Sequence, residues 1–101
     1  AYVLLMENGD FSQGTTYVSM SKGATAVNLM NLAGYDVSSL GNHEFDYGAS
    51  GLAKILQAAV KSGDSTPAIL LSNINWSKTL ATKSLKKDAT TLKNAFDAYG
   101  V

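Results

Sequence analysis

The period of the apolar positions changes along this chain, and the changes divide it into elements. Residues 2–6, "YVLLM", form an unbroken apolar run closed by the turn-prone "ENGD". An uninterrupted run reads as a strand buried on both faces, because a half-exposed strand alternates. Residues 7–20 follow neither the strand nor the helix period and carry Gly9, Gly14 and several hydroxyl side chains. An aperiodic stretch of that length inside a compact domain marks a candidate site. Across residues 22–33, Ala26, Val27, Met30 and Ala33 recur at helical spacing, and Gly34 stands where a left-handed residue ends a helix.

"YDVSSL", residues 35–40, lies between Gly34 and Gly41 and predicts a second short strand, followed directly by the loop "GNHEFDYG". With Ser50 as N-cap, Leu52, Ile55, Leu56, Ala59 and Val60 make the clearest helical stripe in the chain, ending at Gly63. "SGDSTP" is a turn, and "AILLSNI" predicts a third buried strand. Residues 75–87 carry a weak signal. Leu92, Ala95, Phe96 and Tyr99 predict a last helix, with Asp88 or Thr90 as cap and Gly100 as terminator. The expected fold class is α/β: a βαβαβ series of parallel strands with flanking helices. Ligands of such open sheets collect outside the carboxyl ends of the strands, where "NGDFSQG" and "GNHEFDYG" fall.

Composition narrows the partners. The 101 residues are 46% hydrophobic, enough for one domain with one core. Eight basic and eight acidic side chains cancel, and no basic run exceeds Lys86-Lys87. Neither a nucleic-acid polymer nor an anionic membrane surface is an expected partner. Cysteine is absent, which removes disulfides, thiolate metal sites and thiol nucleophiles together. No apolar run approaches the roughly 20 residues of a transmembrane segment.

Chemistry concentrates in the two loops. Asp10 follows Gly9 at a strand end, where a carboxylate has two oxygens to offer a divalent cation and glycine admits a close approach of backbone. An isolated Gly-Asp is more often a solvated turn, so the second loop decides its meaning. There Asn42 offers an amide oxygen to a metal, and His43, the only histidine, offers an imidazole. Asp46 lies three residues beyond and is the expected partner of that ring, fixing its tautomer and favouring its protonated form. Glu44 ranks below it, because adjacent side chains diverge. Phe45 and Tyr47 read as core anchors.

"GDFSQGT", "MNLAGYDVSSLGNHEFDYG" and "LLSNI" together resemble the metal-dependent 5′-nucleotidase and 2′,3′-cyclic-nucleotide phosphodiesterase family of calcineurin-like metallophosphoesterases. The resemblance spans residues 2–74; residues 75–101 form a variable helical segment. It implies a partial metallophosphoesterase sandwich from the catalytic domain of a larger hydrolase that removes phosphate from nucleotides. It also implies two divalent ions such as manganese, zinc or cobalt, Asp10 and Asn42 as metal ligands, and Asn42 and His43 as substrate-binding residues. His43 is the implied stabiliser of the phosphoryl transition state, with Asp46 orienting it. An extracytoplasmic location, periplasmic, wall-attached or secreted, follows from the resemblance alone.

This sequence departs from the family in lacking its Asp-x-His metal motif and its further metal-binding histidines. The 101 residues are therefore expected to be catalytically inert alone, without a full complement of metal, and to self-associate through exposed strand edges. The alternatives are an inactive family-derived binding or structural module and a flavodoxin-like binding domain.

Overall fold

A computed structural model describes residues 2–21, 23–63 and 65–101. Ala1, Lys22, the expected first residue of a helix, and Asp64 of the expected turn lie outside the described residues. The elements run β1 (Met6–Glu7), α1 (Thr16–Ser21), α2 (Ala24–Ala33), β2 (Val37–Ser39), a 3₁₀ turn (His43–Phe45), α3 (Gly48–Ser62), β3 (Ala68–Leu70), α4 (Trp76–Ala81) and α5 (Lys86–Tyr99). The strands form one parallel sheet in the order β1-β2-β3, with Glu7 opposite Ser38 and Ser38 opposite Ile69. The expected α/β architecture, parallel strands with flanking helices, is present.

Helix α3 organises the core because its apolar stripe has two sides. Leu52, Ala53 and Leu56 pack with Ile69 of β3 and with Leu92, Ala95 and Phe96 of α5. Ile55 and Ala59 pack with Ala26, Val27 and Met30 of α2 and with Phe11 of the first loop. Trp76 at the start of α4 sets its ring edge-on to Phe96, 5.4 Å between centroids, which ties the weakly signalled segment 75–87 into the same core. Helices α2, α3 and α5 stop at Gly34, Gly63 and Gly100, each left-handed, as the glycine positions predicted.

The details differ from expectation where packing overrides local pattern. A short helix, α1, forms inside the stretch read as aperiodic. Helix α3 begins at Gly48 rather than after Ser50, with no side-chain cap at Tyr47. Helix α5 starts after Leu85, so Asp88 lies in its first turn and Thr90 inside it, bonded to the Lys86 carbonyl. Ala33 and Val60, both counted in apolar stripes, are exposed, since the faces of α2 and α3 that meet are already set by Val27, Met30, Ile55 and Ala59.

Residues 2–6 carry the largest correction. They were expected to be buried on both faces, yet Tyr2, Val3, Leu4 and Met6 are exposed, and pairing covers only Met6 and Glu7. β1 is an edge strand, and among the described elements it packs only on β2. β3 alternates, with Ile69 buried between exposed Ala68 and Leu70. Ser38 and Ile69 turn to the buried side of the sheet. An unbroken apolar run announces two faces in need of cover, and the described residues supply a layer for one.

Leu52→Ala removes a fully buried side chain from the junction of α3, α5 and β3. It should cost about 2–5 kcal/mol, read as a lowered denaturant midpoint, whereas Leu70→Ala on the open face should cost far less.

Candidate functional site

The loops that leave β1 and β2 meet at two glycines. A Cβ on Gly9, which has φ +94°, would strike the backbone nitrogen of Gly41, and a Cβ on Gly41 would strike the Asp10 carboxylate. Only a residue without a side chain lets either strand end approach the other this closely. Phe11 anchors the first loop from below, buried against α2 and α3. Asp10, on top of that anchor, has φ 67°, left-handed and alone in this among the described non-glycine residues. Aspartate tolerates that region better than most residues.

Glu44 joins the loops. Its fully buried carboxylate accepts the backbone N–H groups of Asp10 (2.8 Å) and Gly41 (2.6 Å) on Oε2 and that of Ser12 (2.9 Å) on Oε1. A buried carboxylate is costly unless its oxygens are satisfied, and backbone donors from two loops satisfy it here. Asp10 closes the contact in the other direction, accepting the His43 N–H on Oδ1 at 3.1 Å.

The 3₁₀ turn explains the placement of the histidine. Side chains at i and i+3 eclipse in such a turn, so His43 and Asp46 stand side by side, with Nδ1 2.8 Å from Asp46 Oδ2. The pair is partly open to solvent, with side-chain exposures of 30% and 46%. The His43 pKa is raised above its ordinary value, chiefly by the hydrogen bond to Asp46. Partial desolvation opposes this, and the negative charges of Asp46, Asp10 and Glu44 add to it. Asn42 starts the turn, its carbonyl accepting the Phe45 N–H at 3.0 Å while its exposed side chain makes no capping bond.

The four residues singled out in the sequence, Asp10, Asn42, His43 and Asp46, therefore sit at the carboxyl ends of adjacent parallel strands, with Asp10 bonded to the His43 backbone and His43 to Asp46. Glu44 was ranked only as a lesser partner of His43; its burial and its bonds to both loops were not foreseen. Nothing in the local pattern distinguishes it from a solvated loop acid, because two of its three donors, Asp10 and Ser12, lie more than thirty positions away. Phe45 and Tyr47 are not core anchors: both are exposed, since the turn that buries Glu44 rolls its neighbours outward. Phe45 instead lines an apolar groove of about 430 Å³ with Ala49, Ile74, Trp76, Leu85 and Leu92.

The donor set does not fit a complete two-ion centre. Asp10 and Asn42 bring one carboxylate and one amide oxygen, and the described residues contain no group of three or more His, Cys, Asp or Glu arranged to hold a metal ion.

Fold and loops define an α/β domain whose polar residues gather at the strand ends. Its relatives are named consistently. The chain is 42% identical over 82 residues to a bovine 5′-nucleotidase, covering 81% of the chain and 13% of that protein. It is 49% identical over 59 residues to 5′-nucleotidase of Rattus norvegicus (58% and 10%), and 52% identical over 52 residues to snake venom 5′-nucleotidase of Gloydius brevicauda (52% and 9%). Over these stretches the chain is similar in sequence to 5′-nucleotidases, and it spans about a tenth of the length of the curated relatives it matches. No family model matches, and no solved structure matches.

Gly9→Ala and Gly63→Ala both place a side chain at positive φ, but only the first meets neighbouring backbone. Gly63→Ala should cost about 1–2 kcal/mol, the left-handed penalty. Gly9→Ala should cost more, and equal midpoint shifts in denaturant would remove the close approach of the loops from the account.

Proposed function

We propose that this chain forms the phosphate-facing part of a nucleotide phosphohydrolase. The observation that carries the reading is the juxtaposition of two loops at the ends of adjacent parallel strands, with Asp10 bonded to the His43 backbone and the His43 ring bonded to Asp46. The names of the 5′-nucleotidase relatives support a nucleotide as substrate and hydrolysis as the reaction.

In this reading Asp46 accepts the Nδ1 proton of His43, so Nε2 is the nitrogen that turns to the substrate. A protonated imidazole held in that orientation donates to a phosphoryl oxygen as charge builds there, or to the departing alcohol oxygen. Because its orientation is fixed beforehand, little reorganisation accompanies reaction. Asp10 and Asn42 would be oxygen ligands to a divalent ion, which would supply electrostatic stabilisation of phosphate and an activated water. Residues 2–74 belong to the catalytic domain and residues 75–101 to a segment that varies in the family. Opening of a 2′,3′-cyclic nucleotide is a second reaction of the same chemistry. An extracytoplasmic location belongs to the same proposal. What supports it is the name of relatives such as the snake venom 5′-nucleotidase of Gloydius brevicauda.

In the whole polypeptide that carries this chain, His43→Ala should lower kcat for AMP by about 10²–10⁴ with metal content unchanged. Asp46→Asn should act in the same direction and less. Loss of metal from the His43 variant, with activity restored by excess metal, would move His43 into the metal shell and overturn its assignment. The 101 residues alone should neither hydrolyse AMP nor take up two tightly bound ions when titrated with manganese, zinc or cobalt in a calorimeter. Turnover abolished by His43→Ala in the short chain would show that its own residues suffice.

A further inference from the structure

Glu44 is fully buried, lies next to the imidazole and is hydrogen bonded to neither His43 nor Asp46. Its three partners are backbone N–H groups, two from the loop after β1 and one from the loop after β2. Asp10 stands between them: its own N–H is held by Glu44 Oε2, its φ is left-handed, and its Oδ1 accepts the His43 N–H. The interactions form a chain from the Glu44 carboxylate, through the Asp10 backbone, to the Asp10 side chain and on to the backbone of His43. Neither loop has a ladder partner at these positions, so each donor would otherwise be an unpaired backbone group at a crowded contact.

We propose that Glu44 is a positioning residue: its two carboxylate oxygens hold Asp10 in the left-handed conformation from which Oδ1 reaches the His43 amide, and so fix the carboxylate and the imidazole relative to each other. Both oxygens have to be acceptors. Oε2 serves Asp10 and Gly41, while Oε1 serves Ser12. Glutamine has the same shape but turns an NH₂ toward one of the two sets, where it faces an N–H and repels it. The consequence for hydrolysis rests on the reading above; the geometric claim does not.

The test needs no substrate, so its failure and the failure of the hydrolase reading are separable. In ¹⁵N-resolved spectra of the 101-residue chain, the amides of Asp10, Ser12 and Gly41 should exchange with solvent far more slowly than that of Gln13, an exposed neighbour in the same loop. Comparable exchange at all four positions overturns the proposal without any variant. In Glu44→Gln the His43 amide should also lose protection, although it is hydrogen bonded to Asp10 and not to residue 44, while amides of α3 and α5 keep theirs. A merely local role for Glu44 leaves the exchange protection of the His43 amide unchanged, and that result, or uniform loss of protection through α3 and α5, overturns the proposal.

Discussion

The arrangement of this chain depends on one buried carboxylate that takes its hydrogen bonds from two loops. Glu44 meets donors on Asp10, Ser12 and Gly41, and the contact is possible because Gly9 and Gly41 leave no Cβ between the strand ends. A buried charge of this kind is stable only when its partners are all in place, so it acts as an all-or-nothing link. Everything chemically notable lies within a residue or two of that link. Asp10 is held by it, Asn42 and His43 start the turn that Glu44 occupies, and Asp46 ends the turn beside the imidazole.

The link is supported from beneath by α3. The helix begins two residues after Asp46, and its opposite sides pack on α2 with Phe11 and on α5 with β3. The first loop is therefore anchored through Phe11 and the second through the start of α3, both on the same helix. This division puts the rigid packing on one side of the sheet and the polar groups at its end, which is where open parallel sheets present ligand sites.

Much of this was legible in the residues. The helical stripe at Leu52, Ile55, Leu56 and Ala59, the three glycine stops and the parallel direction of the strands follow from short-range periodicity and from the connection lengths that parallel strands require. The His43–Asp46 contact follows from an i, i+3 spacing in a tight turn. What was not legible depended on distant partners. Glu44 has the composition of a solvated acid and the environment of a core residue, because two of its three donors come from the other loop. Residues 2–6 have the composition of a doubly covered strand, and only the placement of the helices leaves one face open. Phe45 and Tyr47 misled for the reverse reason: aromatic side chains were read as anchors, while the geometry of the turn assigned the buried position to the acid between His43 and Phe45.

The claim that this loop pair faces the phosphate of a nucleotide is tested most directly by a structure of the whole polypeptide that carries this chain, bound to a non-hydrolysable nucleotide analogue. The account predicts a phosphoryl oxygen within roughly 2.6–3.2 Å of His43 Nε2, with Asp46 still on Nδ1 and divalent ions on the Asp10 carboxylate and the Asn42 amide oxygen. An analogue whose phosphate binds away from these loops, with His43 left facing solvent, would contradict it.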